Sequence, residues 1–470
     1  MRGHWLSTIP LLTGVALCVL SSLAPNGQSK RRAPVVWLSL VTALICAGIA
    51  WNLPPNQVTS FLGQQWVLSP AAQTLLASLS AATALLIAVA YRTPQVEPFC
   101  GPALTSFGLL AAAMLLQPQA LSFALLSAAL VILTLAATAD RPSVRGASRL
   151  LGLATLPIPC VVLCFALLDR LALFPDQPAL AELSSVLVIP CVALWLTLFP
   201  FQGTTPLWAK RQVPLAPAFL WIVKDWVVVW LLLALWTRFP ALRTEPTALA
   251  LGILGLFTAV VSGIWAAFQM DLSAVLACAA MSELGIAIQG LVAGSPAGLQ
   301  SALLLLSGRA FAILLATSAL AALGTAPDPP STELPAPGGH ARWWAMLPLA
   351  AFSVGVMSLA GAPPLLGFVG RQQLYVALRA QNPSVVWAWL PAALGLVAGL
   401  IRSLRTAWRA AQVTQTPQGS SRFTLGARNL PSLVAMCLLV LCLLWLRLQP
   451  QPLLDLIFDL AEPWMPTFTL

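Results

Sequence analysis

Charged residues are scarce in this chain of 470 residues: they make up 8% of the sequence, and lysine occurs only three times. A soluble domain carries about 25% charged residues, so the composition excludes an ordinary soluble protein. Hydrophobic residues make up 59% and the mean hydropathy is +0.88, which indicates a protein surrounded mostly by lipid. The net charge of +10 lies mainly in short loops between apolar runs. This placement indicates membrane topology signals rather than nucleic-acid binding.

The chain also lacks the patterns that hold most cofactors. Its nine cysteines form no CxxC or CxxxCH pattern, so iron–sulfur clusters, attached haem and structural zinc have no framework. The two histidines, His4 and His340, lie near the N-terminus and in a loop, which argues against a haem held between two helices. Walker and dinucleotide fingerprints are absent as well. The sequence predicts no cofactor and no metal, and any catalytic chemistry must come from a partner.

Apolar stretches of roughly 18 to 25 residues recur along the whole chain. They predict an all-α polytopic membrane protein with about fourteen transmembrane helices. The stretches lie near 5–24, 34–52, 70–91, 100–117, 119–139, 150–170, 184–201, 214–237, 247–268, 274–293, 299–323, 343–380, 386–409 and 430–448. Here 343–380 is counted as one interrupted helix. The Pro-rich stretch 324–343 is predicted to be a connection and not a domain.

The basic residues predict which side of the membrane each loop faces. Lys30, Arg31 and Arg32 follow the first stretch, so the positive-inside rule places them in the cytoplasm and the N-terminus outside. The further basic residues expected inside are Arg92, Arg141, Arg145, Arg149, Lys210, Arg211, Arg342, Arg405, Arg409, Arg422 and Arg428. Arg238 and Arg243 depart from this pattern. Both termini are therefore predicted to lie on the non-cytoplasmic side.

Five charged residues fall inside predicted spans, where a charged side chain at a helix centre costs about 2.5–3.5 kcal/mol. They are Lys224, Asp225, Glu283, Arg309 and Arg371. We interpret them as a proton path, because lysine can gain and lose a proton whereas a guanidinium stays charged and biases its neighbours. Adjacent side chains on a helix point about 100° apart, so Lys224 and Asp225 are not expected to neutralise each other simply. A structural ion pair between helices is the alternative for each residue.

Two of the predicted spans contain helix-breaking residues at membrane depth. These are Pro200, Gly203 and Pro206 in ALWLTLFPFQGTTPLW, and Gly361, Pro363 and Pro364 in MSLAGAPPLLGFVGR. Such breaks are tolerated only where they face protein or a hydrated cavity. A pair of breaks in corresponding halves predicts inverted repeats with an ion path at their interface. Plain proline kinks in a structural bundle are the alternative.

These interrupted segments resemble those of the antiporter-like membrane subunits of respiratory complex I. PFQGTTPLWAKRQVPLAPAFLWIVK resembles that family's PFHxWxPDxYxGxPxPVxAFLxxxxK stretch, and SLAGAPPLLGFVGR is similar to SLxGxPPLxGFxGK. DLSAVLACAAMSELGIAIQGLVAG looks like the segment (K/R)RLLAYSSIxHxGY. The similarity runs in order through roughly residues 100–460. It is closest to the branch called subunit N, or subunit 2.

The resemblance implies a fourteen-helix fold with two inverted five-helix repeats, each with one broken helix, and an axis of buried charges that moves protons. It implies N-terminal helices at 1–99, a first repeat at 100–240, a second repeat at 241–412, and a loop with the last helix at 413–470. The implied partners are the lipid bilayer and the other membrane subunits of an NADH– or NAD(P)H–quinone oxidoreductase. The membrane would be a bacterial inner membrane or, in a cyanobacterium, the thylakoid. The chain itself would be a non-catalytic translocating subunit.

Several positions depart from the family pattern. The family's helix-eight lysine falls on Lys224 and its helix-twelve lysine on Arg371, whereas its helix-seven lysine and helix-five glutamate fall on Trp195 and Ala124. The histidine of SSIxHxG falls on Glu283. We therefore expect Glu283 to replace a carboxylate partner for Lys224 and a shortened or altered proton path to remain. The alternatives are a subunit of a cation/proton antiporter and a degenerate structural subunit that does not conduct.

Overall fold

The computed structural model describes residues 3–22, 32–61, 63–91, 93, 96–117, 119–138, 144–174, 177–209, 214–323, 339–379, 383–413 and 430–468. Most of the Pro-rich connection and many of the basic loop residues lie outside these ranges. The helices are α1 (Trp5–Ser22), α2 (Arg32–Asn52), α3 (Pro70–Val89), α4 (Val96–Leu115), α5 (Gln119–Thr138), α6 (Val144–Thr155), α7 (Pro157–Leu173), α8 (Pro178–Trp195), α9 (Thr204–Ala209), α10 (Leu215–Phe219), α11 (Asp225–Arg238), α12 (Glu245–Ala266), α13 (Leu272–Val292), α14 (Pro296–Leu323), α15 (Gly339–Leu359), α16 (Leu366–Leu378), α17 (Pro383–Trp387), α18 (Trp389–Val413), α19 (Leu430–Leu448) and α20 (Gln451–Ala461).

Every apolar stretch predicted to span the membrane overlaps at least one of these helices. Within the described ranges, nine helices are long and apolar enough to cross a membrane, and the bent pair α19–α20 brings the number to ten. Four further apolar helices are shorter. The chain is therefore an integral membrane protein with a helical polytopic fold, as the composition predicts.

The central helices are enclosed by protein on nearly all sides. In the spans Leu215–Arg238 and Leu272–Val292, 94% of the most apolar window is buried, compared with 33% in Val385–Arg409. The outer helices expose apolar side chains such as Trp37 and Leu394. Because lipid offers no hydrogen bonds, charged groups and broken backbone are tolerated only in the enclosed centre.

The first helix interruption separates α8 from the short helix α9. Helix α8 ends at Trp195 and α9 begins at Thr204, with irregular backbone and a short 3₁₀ turn between them. Pro200 lies in this break and Gly203 in the 3₁₀ turn. Pro206 lies instead within the first turn of α9, where a missing N–H disturbs no helical hydrogen bond.

The second interruption separates α15 from α16. Helix α15 ends at Leu359 and α16 begins at Leu366, and Gly361, Pro363 and Pro364 all lie between them. Gly361 has a φ of +76°, a conformation that costs little only for glycine. The chain therefore leaves one helix and enters the next through residues that suit an interrupted backbone.

Two elements do not follow from the apolar pattern. The segment between the predicted spans 34–52 and 70–91 forms the antiparallel hairpin β1 (Gln57–Phe61) and β2 (Gln64–Leu68), and β2 also pairs with β3 (Leu116–Gln117). Helix α20 follows α19 at an angle of 81°. Its acidic residues Asp455 and Asp459 are exposed while one apolar side is buried. The helix is too short and too polar for hydropathy to identify it as a span.

Arg243, which departs from the predicted charge distribution, is held by aromatic rings. Its guanidinium carbon lies 3.8 Å from the ring centroid of Phe468 and 5.9 Å from that of Trp236. Burial lowers the pKa of Arg243 from its ordinary value, but a guanidinium remains charged at neutral pH. Cation–π contact therefore ties the loop after α11 to the C-terminal segment.

Candidate functional site

Five charged side chains are buried within the described part of the chain, and they are the five that the sequence singles out. They are Lys224, Asp225, Glu283, Arg309 and Arg371, none more than 9% exposed. The first group contains Lys224, Asp225 and Arg309, and the second contains Glu283 and Arg371. Both groups lie beside interrupted helices.

Asp225 is shared between two cations. Its Oδ1 atom lies 2.5 Å from Lys224 Nζ, and its Oδ2 atom lies 2.7 Å from Arg309 Nη2. Lys224 and Asp225 are therefore in contact, but they do not form a simple neutral pair, because the carboxylate is shared with Arg309. An offset of about 100° separates the Cβ directions of neighbouring residues, but the flexible four-carbon lysine stem spans that separation.

Lys224 also donates a hydrogen bond to the main-chain carbonyl of Trp195, with an Nζ–O distance of 2.6 Å. In a continuous helix the Phe199 N–H would bond to this carbonyl. Here the Phe199 N–H donates to Thr258 Oγ1 at 2.7 Å, because α8 has ended. The lysine thus supplies the donor that the break removes, at the residue where the family's helix-seven lysine falls.

Arg309 likewise bonds to a carbonyl that lacks its helical donor, at the start of α11. Residues Leu220–Lys224 form a π turn, in which the Asp225 N–H bonds to the Leu220 carbonyl five residues back. In an α-helix it would bond to the Trp221 carbonyl, which instead accepts a hydrogen bond from Arg309 Nη1 at 2.5 Å. Arg309 Nε also donates to the Ala280 carbonyl at 2.9 Å. The sequence assigns Arg309 no partner, since π turns leave no clear signature in hydropathy.

In the second group, Glu283 pairs with Arg371. Glu283 Oε2 accepts a hydrogen bond from Arg371 Nε at 3.0 Å and another from Arg371 Nη2. The expectation that Glu283 is the carboxylate partner of Lys224 is therefore wrong. Helix α13 turns Glu283 towards α16, whereas Asp225 already occupies the place beside Lys224.

Arg371 completes the end of the interrupted helix α15. Its guanidinium donates to the carbonyls of Leu359 at 2.5 Å and Ala360 at 2.8 Å. In a continuous helix these two carbonyls would accept from residues 363 and 364, but both are prolines and have no N–H. The double proline is thus the sequence signal for two free carbonyls, and the buried arginine satisfies both.

Gly361 makes room for this guanidinium. A Cβ atom added at Gly361 would lie 2.7 Å from Arg371 Nε and 2.8 Å from Arg371 Nη1. Such distances are well below ordinary van der Waals contact, so a side chain here would displace the arginine. Glycine is therefore required at this position by backbone conformation and by space.

All three buried cations follow one design: each bonds to main-chain carbonyls that a defect in a helical ladder has freed. Helix C-termini carry partial negative charge, so a cation is also favoured there electrostatically. The two groups are neighbours across α13, because Ala280, the acceptor for Arg309, lies three residues before Glu283. Arg309 acts electrostatically on both Lys224 and Glu283. The five charges therefore form one interrupted row.

The region where the family's glutamate and helix-seven lysine fall is apolar here. Ala124 stands at the first position, and at the second the Trp195 ring stacks on Phe123 with centroids 5.1 Å apart and planes 7° apart. A cavity of about 20 Å³ beside these rings is lined by apolar side chains and two cysteines. An apolar cavity of this kind stays dry.

A second cavity borders Lys224 itself. It measures about 30 Å³, and its mostly apolar lining includes the hydroxyl-bearing residues Thr197 of the break and Thr204 and Thr205 of α9. Trp195 borders both cavities. The hydroxyl groups of this cavity therefore come from the side of the helix break.

Sequence comparison finds one transmembrane family and two curated proteins to which this chain is similar. The family described as "NADH:quinone oxidoreductase/Mrp antiporter, TM" matches residues 222–395, which include all five buried charges. The NADH-quinone oxidoreductase subunit N of Methylococcus capsulatus is 26% identical over 293 residues, and the match spans 61% of this chain and 57% of that protein. The NAD(P)H-quinone oxidoreductase subunit 2 of Prochlorococcus marinus is 27% identical over 391 residues, or 78% of this chain and 75% of that protein.

Solved structures share the fold over nearly the whole chain. A chain of respiratory complex I from Thermus thermophilus superposes with a TM-score of 0.72, at 20% identity and with 99% of both chains covered. A chain of the Mrp complex from Dietzia sp. gives 0.68, at 20% identity, covering 99% of this chain and 51% of that one. A chain of an archaeal membrane-bound sulfane sulfur reductase gives 0.75 at 14% identity, covering 98% and 97%. The resemblance predicted from the motifs is confirmed, and the chain is similar to the antiporter-like membrane subunits of complex I.

Proposed function

We propose that this chain is a proton-translocating, antiporter-like membrane subunit of an NAD(P)H–quinone oxidoreductase complex. It would move protons along the buried row of charges while other subunits perform the redox chemistry. The observation that carries this proposal is the row itself: five buried ionic side chains in an integral membrane protein, of which the three cations bond to carbonyls freed by helix defects. Charged groups at membrane depth are costly, and proton relays are among their main uses.

Lys224 is the proposed proton carrier. Its group contains two cations and one carboxylate, so release of the lysine proton leaves Asp225 and Arg309 as a neutral pair. Uptake of a proton restores the excess charge. Arg309 and Arg371 cannot take part in this way because a guanidinium is not deprotonated in proteins. We propose that they hold Asp225 and Glu283 in place and set the electrostatic environment in which Lys224 changes its charge.

The proposed partners are the other membrane subunits of the complex. The curated relatives are named as subunits of such oxidoreductases, and two of the similar solved structures are respiratory membrane complexes. We further propose a bacterial inner membrane or a thylakoid membrane, with both termini on the non-cytoplasmic side. The sidedness rests on the distribution of basic residues, and Arg243, which departs from it, has an aromatic partner in the fold.

We also propose that the fold comprises fourteen spans. The nine long helices, the bent pair and the four shorter apolar helices support this number. The shared design of the two interruptions supports two repeats, at 100–240 and 241–412, between N-terminal helices at 1–99 and a C-terminal part at 413–470. In each proposed repeat a buried cation bonds to carbonyls at the end of the first half of a broken helix.

The test compares Lys224→Ala with Lys224→Arg in the intact complex reconstituted in vesicles. Both variants should lose the protons that this subunit moves per electron pair, because arginine keeps the charge but does not release a proton. Proton movement is followed with a pH-sensitive dye during quinone reduction. Normal translocation in Lys224→Arg together with a loss in Lys224→Ala would instead identify a structural subunit that needs only a charge.

A cation/proton antiporter subunit is the second candidate. It is favoured by the Mrp complex from Dietzia sp., onto which 99% of this chain superposes. Translocation that requires Na⁺ in the vesicle buffer and does not require a quinone would support this candidate and exclude the first.

A further inference from the structure

Helix α18 exposes one face along most of its length, and this face changes from apolar to basic towards the end of the helix. Its apolar part, the apolar stripe, begins in α17 and consists of Trp387, Leu390, Leu394, Ala398 and Ile401. Its basic part, the basic stripe, consists of Arg402, Arg405 and Arg409. Residues three and four positions apart lie on the same side of a helix. The basic stripe therefore continues the apolar stripe along one exposed face.

The basic stripe begins before the apolar stripe is long enough to cross a membrane. Between Trp387 and Arg402 the helix rises by about 22 Å, whereas the hydrocarbon core of a bilayer is about 30 Å thick. Tryptophan is enriched at the membrane surface. With Trp387 at one surface, Arg402 lies below the other surface, and Arg405 and Arg409 lie near it. A guanidinium at this depth requires a counter-charge or a route to the headgroups.

The described part of the protein supplies no counter-charge to the basic stripe. Its three arginines form no ion pair with a described carboxylate. Arg402 Nη1 lies 3.5 Å from the main-chain carbonyl of Ala267 at the end of α12. The side chains of Arg405 and Arg409 are exposed and have no hydrogen-bond partner among the described residues. The positive charge of this face is therefore available to a partner outside the chain.

The basic stripe stands on a closely packed pair of helices. Gly395 and Gly399 of α18 lie against the backbone of α12, where an added Cβ atom would collide with the carbonyl oxygens of Gly263 and Ala266. Small residues that allow such a close approach of two backbones are typical of tightly packed membrane helices. The arginines therefore project from a fixed surface, which favours a defined binding site.

Membrane topology alone does not explain this arrangement. The positive-inside rule depends on the number of basic residues near the end of a span and not on the face that carries them. The neighbouring residues Ser403, Leu404 and Ala407 are less exposed and carry no charge. The arginines of α18 are therefore confined to its exposed face.

We propose that the basic stripe binds the phosphate headgroup of an anionic phospholipid, with an acyl chain lying along the apolar stripe. Guanidinium groups bind phosphate oxygens through paired hydrogen bonds. Arg405 and Arg409 are one turn apart, about 6 Å along the helix axis, so one phosphate can contact both. A zwitterionic lipid fits less well, because its own ammonium group competes with the arginines for the phosphate. The buried charge row takes no part in this site, so the site does not depend on proton translocation.

The test measures lipid binding to the full-length protein in detergent by native mass spectrometry. Phosphatidylglycerol is compared with phosphatidylcholine carrying the same acyl chains, and inorganic phosphate is added as a competitor. The main variant is Arg405→Gln/Arg409→Gln. Its matched control is Arg170→Gln/Arg379→Gln, which removes the same charge from exposed arginines on α7 and after α16. Exposed substitutions of this kind have small effects on stability, so a loss of binding reports on the site.

The native protein should bind phosphatidylglycerol about 100-fold more tightly than phosphatidylcholine, and Arg405→Gln/Arg409→Gln should reduce this preference about 25-fold. These values follow from a contribution of about fivefold for each basic residue at a membrane surface. Arg405→Lys/Arg409→Lys should keep most of the preference, because the charge is retained. Inorganic phosphate should not displace the lipid, because it makes no contact with the apolar stripe. The control variant should behave like the native protein.

Equal affinities of the native protein for the two lipids, or an equal loss of preference in the control variant, would overturn the proposal. Displacement of the lipid by inorganic phosphate would also overturn it and would leave a general anion site. The second readout is a cryo-EM map of the intact complex. Lipid density beside Arg405 and Arg409 would support the proposal, whereas an acidic segment of another subunit in the same place would overturn it.

Discussion

The two interrupted helices solve the same structural problem with different chemistry. At the end of α8 the freed carbonyl is bonded by a lysine, and a cavity that three threonines help to line adjoins that lysine. At the end of α15 the freed carbonyls are bonded by an arginine whose space is reserved by Gly361. Under the proposed function, the first arrangement changes its charge at the cation, whereas the guanidinium of the second stays charged. The choice of cation at a helix break would then decide whether the break also handles protons.

The carboxylates differ in a corresponding way. Asp225 is divided between two cations, so loss of a proton from Lys224 still leaves it paired with Arg309. Glu283 has Arg371 as its sole described partner. The first group is therefore built to tolerate a change of charge, and the second to resist one. The predictions below test this contrast through the free energy of unfolding.

Removal of the shared carboxylate should have the largest effect on the free energy of unfolding. Asp225→Ala leaves Lys224 and Arg309 buried together without a counter-charge, which should lower the free energy of unfolding by about 3–5 kcal/mol. The measurement is denaturant or thermal unfolding of the solubilised protein. Asp169→Ala is the control, because Asp169 is exposed on α7, and it should change stability by less than about 0.5 kcal/mol. Equal effects of the two variants would contradict the shared role of Asp225.

Removal of the fixed cation should have a smaller effect. Arg371→Gln breaks the pair with Glu283 and two helix-end bonds, but Glu283 can then take up a proton and become neutral. We expect a loss of about 2–3 kcal/mol, from the lost charged hydrogen bonds. Arg371→Lys should restore about half of this, since lysine supplies the charge but not the planar fork of donors. A complete rescue by lysine would remove the distinction between the two breaks.

Gly361→Ala should have the next largest effect on the free energy of unfolding. The added Cβ meets the Arg371 side chain and the backbone φ of +76° disfavours alanine, so we expect a loss of about 1–3 kcal/mol. Gly48→Ala is the matched control, because a Cβ there meets nothing within 4 Å; it should leave stability unchanged or raise it slightly. An unchanged stability in Gly361→Ala would show that Arg371 does not depend on this space.

The smallest effect on the free energy of unfolding is expected for Trp195→Phe. The indole N–H of Trp195 is buried and has no partner among the described residues, so Trp195→Phe keeps the stack on Phe123 while removing an unsatisfied donor. The free energy of unfolding should change by less than about 1 kcal/mol. Trp195→Ala, which leaves a cavity, should cost about 3–5 kcal/mol. A large loss in Trp195→Phe would mean that the indole nitrogen has a partner of functional weight.

Hydropathy correctly predicts which residues make up the site. A charge inside an apolar run has to be enclosed by protein, which is why the five candidate residues are the buried ones. Proline and glycine predict the two breaks, because they weaken a helix at the position where they occur. In contrast, the partner of Glu283 lies 88 residues away along the chain, and no local pattern carries that information.

The errors in pairing have a common physical origin. A helical wheel treats side chains as directions from the axis and assumes 3.6 residues per turn, so it separates Lys224 from Asp225 and misses the π turn that recruits Arg309. Hydropathy does not predict helix α20 or the short sheet, because the helix is amphipathic and the strands are extended rather than uniformly apolar. A proline within a span also predicts a freed carbonyl four residues earlier, as Pro363 and Pro364 do here. That carbonyl is a signal, readable from the sequence, that another donor is needed.

Helix α13 carries a mechanical consequence of this arrangement. The carbonyl that holds Arg309 and the side chain that holds Arg371 are fastened to it three residues apart, which is about 4.5 Å of rise. A small slide or rotation of this one rod would stretch an attachment of each charge group at once. Strain would thus pass between the two groups even if no proton ever crossed from one to the other.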